Sequence, residues 1–140
     1  MSTEDRGQML VVDASCLAEV VIAGPHAELV RGRLDADRDQ AAPHVVDVEV
    51  LGVIRREHLA GRLDRTEASQ AVEDLRDWPG DRFGHRLLLG RAWELRASVR
   101  GWDAMYVALA EALGAVLLTT DQRLAAATGP TCAIEVLPER

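Results

Sequence analysis

The sequence predicts an α/β domain of three layers, in which helices cover both faces of a central parallel sheet. Short apolar runs alternate along the chain with segments of helical periodicity, a pattern typical of parallel sheets with helical connections. In the clearest unit, segment 101–121, an amphipathic helix, the turn residue Gly114 and a continuous apolar run follow one another. A run that is apolar at every position indicates an interior strand. Asp121 therefore lies just past the carboxyl end of a buried strand, where open α/β sheets bind their ligands.

Local patterns justify the elements of the first half of the chain. Val11 and Val12 are β-branched and favour a short strand, and Pro43 suits the entry of a long helix. Thr66 is a candidate N-cap for the helix after that, which the Trp-Pro-Gly sequence at 78–80 ends. The predicted elements are strand 9–12, helix 17–22, helix 26–37, strand 40–43, helix 44–60 and helix 67–77.

The second half continues the alternation. Leucine and alanine recur at helical spacing in residues 87–99, Gly114 lies where a helix C-cap belongs, and Gly129 with Pro130 marks a turn before the last strand. The predicted elements are strand 82–86, helix 87–99, helix 103–113, strand 115–118, helix 122–128 with Thr120 or Asp121 as its cap, and edge strand 132–137.

The length and composition are those of one soluble globular domain. The chain has 140 residues, of which 48% are hydrophobic and 28% charged, enough for a single hydrophobic core over residues 1–140. No apolar run approaches the roughly 20 residues of a membrane span. The polar leader, residues 1–8, is not followed by the apolar core of a signal peptide. We therefore expect a cytoplasmic protein without a membrane partner.

The basic residues exclude several chemistries. All 16 are arginine, and the absence of lysine removes the P-loop lysine, the Schiff-base lysine and the Ser-Lys dyad. The formal charge of −7 argues against binding of nucleic acid by bulk electrostatics. It does not argue against a nuclease, because a carboxylate site for divalent ions is itself acidic. Cys16, Cys132 and the four histidines show no zinc spacing, and both cysteines are expected to be buried thiols.

Glu49 is the most informative residue of the first half. At helical spacing it shares a face with the apolar residues Val46 and Val53, whereas Asp47 points to the opposite, solvated side. A carboxylate on an apolar face costs several kcal/mol unless it is paired or coordinated. Arg56, seven residues further on, is too far along the helix for an ordinary ion pair. We therefore expect a functional role for Glu49.

Four acidic residues are expected to meet at one edge of the sheet. Asp13 and Asp121 each follow a short apolar strand, Asp103 begins the helix that leads into the second of these strands, and Glu49 projects from an apolar face. For each residue alone, a helix cap or a buried ion pair is the ordinary explanation. Carboxylates brought together repel one another, and Mg²⁺ or Mn²⁺ removes that penalty. A water activated by such an ion is the nucleophile that the sequence permits.

The chain resembles the PIN-domain ribonucleases, and more narrowly the VapC toxins of bacterial toxin–antitoxin pairs. The resemblance lies in three blocks that cover most of the chain: LVVDAS, APHVVDVEVLGVIRR and RAWELRASVRGWDAMYVALAEALGAVLLTTDQRLA. It implies a sheet ordered 3-2-1-4-5 and an endoribonuclease that depends on Mg²⁺ or Mn²⁺. It also implies a homodimer, and inhibition by a cognate antitoxin protein whose tail crosses the active site.

The resemblance also assigns roles to individual residues. Asp13, Glu49 and Asp103 would be the main metal-binding and catalytic carboxylates, and Asp121 the fourth. Ser15 and Thr119 would support the site through hydrogen bonds. The basic patch formed by Arg91, Arg96 and Arg100 is the best available contact for the phosphates of an RNA substrate. Before Asp103, the pair Gly101-Trp102 departs from the family's more usual polar-aromatic pair.

Two other functions remain open on the residues alone. A phosphatase-like hydrolase could also use acidic residues at strand ends, although Ser15 stands where a second aspartate is expected and a receiver fold would need a lysine. A non-catalytic subunit could keep the fold and only bind a partner protein. The presence of all four carboxylates favours a metal-dependent nuclease that cleaves structured RNA at an exposed loop.

Overall fold

The computed structural model describes residues 8–138, and their elements follow the predicted alternation. In chain order the elements are β1 (Leu10–Val12), α1 (Ala14–Val21), α2 (Ala27–Ala36), β2 (Gln40–Pro43), α3 (Val45–Leu59), α4 (Arg65–Asp77), β3 (Asp81–Phe83), α5 (Leu89–Glu94), α6 (Gly101–Leu113), β4 (Val116–Thr119), α7 (Gln122–Ala126) and β5 (Ile134–Val136). Of the predicted polar leader, only Gln8 is among the described residues, and it is exposed.

The sheet has five parallel strands in the order β3-β2-β1-β4-β5, which confirms the predicted topology. Strand β1 is central, with Leu10 in register with Gln40 of β2 on one side and with Val116 of β4 on the other. All three residues of β1 are buried. Because the order reverses at β1, the chain leaves its carboxyl end at a topological switch point, where such sheets bind ligands.

Helices cover the sheet and complete the core. Helices α1 to α4 pack on one another, whereas α5 packs on α6, which lies against β1, β2 and β4. Leu10, Leu117 and Tyr106 are among the largest side chains that are fully buried. Gly114 ends α6 in the left-handed conformation with φ +62°, as predicted for a C-cap. Among the described residues, no helix is both long and apolar enough to cross a bilayer.

Helix α4 begins earlier than the sequence prediction. The predicted cap, Thr66, lies inside the helix, and Asp64 is the N-cap. Asp64 Oδ1 accepts a hydrogen bond from the Glu67 N–H at 2.7 Å, and Glu67 Oε1 accepts one from the Asp64 N–H at 2.9 Å. This reciprocal capping box satisfies two backbone donors at once, and aspartate is a stronger cap than threonine.

The predicted helix 87–99 is also wrong as a single element. The segment contains a 3₁₀ turn, Arg86–Leu88, the short helix Leu89–Glu94 and then successive turns. The N–H groups of Leu95 and Ser98 donate to carbonyls three residues earlier, and Leu95 and Val99 are buried. Tight turns therefore bury the apolar residues whose spacing resembled that of a helix.

Candidate active site at the carboxyl edge of the sheet

Asp13 lies at the centre of the candidate site, directly after β1. It occupies the N-cap position of α1, but its side chain makes no capping hydrogen bond to the helix. Its carboxylate is 6% exposed, and Oδ2 accepts hydrogen bonds from Ser15 Oγ at 2.8 Å and Thr119 Oγ1 at 2.7 Å. A helix cap therefore does not explain the aspartate at this position.

Backbone donors orient the two hydroxyl groups that contact Asp13. Ser15 Oγ accepts a hydrogen bond from the Thr120 N–H at 3.1 Å, and Thr119 Oγ1 accepts one from the Asp121 N–H at 3.0 Å. Because each oxygen is already an acceptor, each hydroxyl proton is free to point at the carboxylate. The end of β4 thus fixes the Asp13 side chain in one orientation.

Glu49 lies half-buried on α3 and has a partner that the sequence analysis missed. The hydroxyl of Tyr106, on α6, donates to Glu49 Oε1 at 2.8 Å. Glu49 makes no ion pair with Arg56 or with any other cation among residues 8–138, which agrees with the helical-spacing argument. A neutral donor leaves the negative charge of the carboxylate uncompensated.

The sequence marks Tyr106 as a candidate site residue but does not identify its partner. It is the only tyrosine of the chain and lies three residues after Asp103, hence on the same face of α6. Its side chain is fully buried, and a buried tyrosine hydroxyl needs a hydrogen-bond partner. The missing information was the position of α6 relative to α3, which local patterns do not give.

Asp47, two residues before Glu49, has a structural partner. Helical spacing predicted a solvated face for Asp47, but Arg82 Nη2 donates to Asp47 Oδ1 at 3.0 Å and connects α3 to β3. The same guanidinium also donates to the carbonyl groups of Leu75 and Trp78. Asp47 therefore stabilises the fold and is not one of the four carboxylates that are expected to meet at the edge of the sheet.

The other two acidic residues lie at the start of helices, in different roles. Asp103 is the third residue of α6, and the N-cap is Arg100, so the prediction that Asp103 opens the helix is corrected by two residues. Asp121 is the N-cap of α7: its Oδ1 accepts a hydrogen bond from the Arg123 N–H at 2.9 Å. A capping role thus explains in part why an aspartate stands at position 121, whereas neither Asp13 nor Asp103 caps a helix with its side chain.

Burial and nearby negative charge disfavour the ionised form of Asp13. Burial raises its pKa above the ordinary range for a carboxyl group, although the hydrogen bonds from Thr119 and Ser15 lower it, and the charge of Asp121 raises it further. The ionised form of a buried carboxylate is stabilised when a cation binds beside it. The metal-free site is therefore unfavourable for the charge that metal binding needs.

The acidic residues also raise one another's pKa values. Burial raises the pKa of Glu49, the Tyr106 hydrogen bond lowers it, and the charges of Asp13 and Asp103 raise it further. Burial likewise raises the pKa of Asp103, and the charges of Asp13 and Asp121 add to this effect. Asp13 and Asp103 thus interact electrostatically with each other, with Glu49 and with Asp121, and these four carboxylates form an acidic cluster.

The donor set fits a hard divalent cation with part of its hydration shell. Within residues 8–138, no three His, Cys, Asp or Glu side chains stand close enough to hold an ion directly. The available donors are carboxylate and hydroxyl oxygens, which Mg²⁺ and Mn²⁺ prefer. Mg²⁺ keeps several of its waters and binds through one or two carboxylates. A spread set of carboxylates is compatible with this mode of binding.

The arginines of the predicted basic patch have different environments. Arg91 forms an ion pair with Glu111 at 2.6 Å, and the guanidinium of Arg96 lies over the ring of Trp93 at 4.4 Å from its centroid. Arg100 lines a small cavity together with Asp103 and Asp121, and its charge lowers the pKa of Asp103. Of the three arginines, only Arg100 is connected to the candidate site by these contacts.

Neither cysteine is placed to act as a nucleophile. Cys16 is buried, as predicted, but Cys132 is only half-buried, so that part of the prediction is corrected. Burial and the nearby charge of Asp13 raise the pKa of the Cys16 thiol, and burial raises that of Cys132. Both side chains therefore remain protonated thiols at neutral pH, and thiolate chemistry is disfavoured.

Comparison with known protein families identifies relatives along most of the chain. The family model of the PIN domain matches residues 10–130. Ribonuclease VapC3 of Mycobacterium tuberculosis is 42% identical over 121 residues, which cover 86% of this chain and 88% of VapC3. Ribonuclease VapC1 of the same organism is 38% identical over 129 residues, which cover 91% of this chain and 96% of VapC1.

Solved structures share the fold at lower identity. VapBC2 from Rickettsia felis, bound to a DNA fragment from its promoter, has a TM-score of 0.69 at 11% identity, with 91% of this chain and 98% of that chain covered. Mycobacterium tuberculosis VapC20, a toxin that cleaves the sarcin-ricin loop, has a TM-score of 0.64 at 20% identity, with 84% and 93% covered. Together with the family-model match, the sequence relatives and the shared sheet order, these likenesses establish that the chain belongs to the PIN-domain family, in the group of the VapC ribonucleases.

Proposed function

We propose that this protein is a metal-dependent endoribonuclease, the toxin component of a toxin–antitoxin pair that acts in the cytoplasm. The supporting observation is the acidic cluster, in which buried Asp13 is held by two hydroxyl groups and is electrostatically coupled to Glu49, Asp103 and Asp121. Such a cluster is a costly arrangement unless a cation binds there. The 42% identity to a protein named as a ribonuclease supports RNA as the substrate.

One or two of the carboxylates Asp13, Glu49 and Asp103 would bind a Mg²⁺ or Mn²⁺ ion directly and the others through its waters, with Asp121 as a fourth, more exposed carboxylate. When bound, the ion would lower the pKa of a water nucleophile and stabilise charge on the phosphodiester. The protein's own contribution is to fix the ligands. The hydroxyls of Ser15 and Thr119 both donate to Oδ2 of Asp13, and their role is to keep this carboxylate in one orientation when metal binding changes the repulsion between the acidic residues.

Tyr106 has the corresponding role for Glu49. Its hydroxyl holds one carboxylate oxygen and leaves the other oxygen available to a cation or water. Because Tyr106 is fully buried between α6 and the sheet, it cannot turn away from Glu49 without disturbing the core. We propose that it preorganises this ligand.

Of the predicted RNA contacts Arg91, Arg96 and Arg100, we propose that Arg100 binds a substrate phosphate beside Asp103, because the other two arginines have contacts within the fold. Exposed loops of structured RNA present unstacked bases and accessible phosphates. We therefore propose cleavage in such a loop.

Two protein partners belong to the same proposal. The complex named VapBC2 supports a cognate antitoxin as a partner, and the family resemblance supports an antitoxin that covers the acidic cluster and blocks RNA binding. The family resemblance supports a homodimer. Analytical ultracentrifugation of the protein alone and with the product of the adjacent reading frame would measure both assemblies.

Cleavage of a fluorescent single-stranded RNA tests the proposed function. We expect cleavage in Mg²⁺ or Mn²⁺ that is lost with EDTA, with Asp103→Asn and with Glu49→Gln. Asp47→Asn is the matched control, since Asp47 lies on the same helix as Glu49 but contacts Arg82; we expect it to retain activity. Full activity in folded Asp103→Asn and Glu49→Gln proteins would refute the site. Hydrolysis of a phosphomonoester without RNA cleavage would support the phosphatase-like alternative instead.

A further inference from the structure

An open cavity of about 850 Å³ lies beside the acidic cluster. Ser15 and Glu49 line it on the side of the candidate site, so the cavity is continuous with that site. Val45, Val48 and Val53 of α3 form an apolar wall. The volume and the mainly apolar lining with a few polar groups are those of a site for a small organic moiety.

Trp102 lines the same cavity and is unusually exposed. It is the residue before Asp103 on α6. The residue is 64% exposed to solvent, compared with 7% for Trp78 in the core. An exposed indole ring next to a polar site contributes little to the fold, because it buries little surface. It does offer a flat aromatic face for stacking.

The polar groups of the cavity favour a ligand with hydrogen-bond acceptors. The Val45 N–H donates to His85 Nε2 at 3.1 Å, so Nε2 is unprotonated and the ring proton is on Nδ1. The free nitrogen of this cavity-lining ring is therefore a donor. Arg56 also lines the cavity and adds donors only. Carbonyl oxygens and ring nitrogens of nucleobases accept such hydrogen bonds, as do phosphate oxygens.

We propose that this cavity is a nucleobase subsite, in which Trp102 stacks on the base of a nucleotide next to the cleaved phosphate. Arg56 would contact the backbone of that nucleotide, and His85 an acceptor on its base. This inference rests on the proposed ribonuclease function, since it places a flanking nucleotide beside Glu49.

Stacking also provides affinity for RNA that the net charge of the protein does not provide. A chain with formal charge −7 gains little affinity for RNA from bulk electrostatics. Base–aromatic stacking does not depend on net charge and tolerates any base. Loops of RNA supply bases that are already unstacked, so a single exposed indole beside the acidic cluster can select such loops over paired RNA.

Trp102 variants and an abasic substrate test the proposal in combination. The substrates are one short single-stranded RNA that the parent cleaves and versions of it with one abasic nucleotide at each position around the cut. For Trp102→Ala on intact RNA we expect KM to rise by roughly 5- to 150-fold, the range expected for loss of one base stack. At one position next to the cut, removal of the base is expected to weaken binding to the parent but to have little further effect on Trp102→Ala.

Two further variants separate stacking from a structural role. Trp102→Phe keeps an aromatic face and is expected to recover most of the lost affinity. Trp93→Ala is the matched control, because Trp93 is 67% exposed but lies outside this cavity; it is expected to leave KM unchanged. Fluorescence anisotropy with labelled RNA in EDTA measures the same affinities without cleavage.

The outcomes distinguish this inference from the proposed function. A parent protein that binds RNA in EDTA through Trp102 but never cleaves it would refute the ribonuclease function but support the nucleobase subsite. A parent that cleaves RNA while Trp102→Ala has the same KM would refute the subsite. An equal loss on intact RNA and on every abasic RNA would also refute it, because Trp102 would then not stack on a base.

Discussion

Replacement of Asp13 by asparagine is expected to stabilise the metal-free protein at neutral pH, even though it removes a proposed metal ligand. Asp13 is buried, and its carboxylate is repelled by other acidic residues, so its pKa is raised. The amide of asparagine has no charge to desolvate. Its oxygen can still accept the hydrogen bonds that Ser15 and Thr119 donate to Asp13.

The size of the effect follows from opposing contributions. Desolvation of a buried carboxylate costs several kcal/mol, and hydrogen bonds to a charged acceptor each return about 1.5–3 kcal/mol. Because the pKa of Asp13 is raised, the desolvation cost exceeds the return from the hydrogen bonds, and we expect a net difference of the order of 1–3 kcal/mol. A chain of 140 residues has an unfolding entropy of about 0.3 kcal/mol per degree at Tm. The variant is therefore expected to melt about 3–10 °C above the metal-free parent.

The pH dependence of this stability difference is a second test of its sign. A carboxyl group with a raised pKa binds its proton more tightly in the folded chain, so its contribution to stability is complete below the unfolded pKa of about 3.9. That contribution is lost as the pH rises through the raised pKa of Asp13. The stability advantage of Asp13→Asn is accordingly expected to shrink as the pH is lowered through this window.

Thermal melts in EDTA from pH 4 to 8 measure both effects. Glu111→Gln is a control of opposite sign, because the hydrogen bond and charge of Arg91 lower the pKa of Glu111; this variant is expected to melt below the parent at neutral pH. A metal-free Asp13→Asn protein that melts below the parent at pH 8 would show that the ionised carboxylate stabilises the fold and would refute the reasoning.

Three further predictions concern the metal and its ligands. At a Mn²⁺ concentration of about 100 times its Kd, the parent is expected to gain about 2.7 kcal/mol, or roughly 9 °C in Tm, and Asp13→Asn to gain far less; equal shifts in calorimetry would contradict binding at Asp13. Tyr106→Phe is expected to lower kcat/KM about tenfold, the equivalent of about 1.4 kcal/mol, because Glu49 loses its hydrogen bond; an unchanged value in a protein with parental circular dichroism would exclude a positioning role. Asp121→Asn is expected to retain its helix cap, since asparagine caps as well as aspartate, and to lose less activity than Asp103→Asn; the reverse order in the same cleavage assay would make Asp121 the more important ligand.

Patterns within single elements predicted the fold well. The apolar run before Asp121 and the β-branched pair before Asp13 identified the two central strands, and the family resemblance supplied the strand order that the structure confirms. The error in residues 87–99 has a physical cause: apolar spacing reports which side chains are buried, and tight turns can bury the same side chains. The choice of Asp64 over Thr66 as cap depended on its reciprocal bond with Glu67.

The contacts within the candidate site were harder to predict. The sequence indicated an unpaired Glu49 but not its bond to Tyr106, which joins residues 57 positions apart. It likewise assigned Asp47 to solvent, because the position of Arg82 depends on how β3 joins the sheet. Such pairs depend on the packing of one element against another, whereas helical or strand periodicity describes only one element at a time.

The hydrogen bond from Thr119 to Asp13 spans 106 residues of the chain. During synthesis the aspartate leaves the ribosome early, but its threonine partner arrives only when most of the polypeptide has been made. A nascent fragment that stops before β4 lacks the neighbour of β1 and one of the two hydroxyls that orient Asp13. Translation order alone therefore delays the assembly of this centre until Thr119 has emerged from the ribosome.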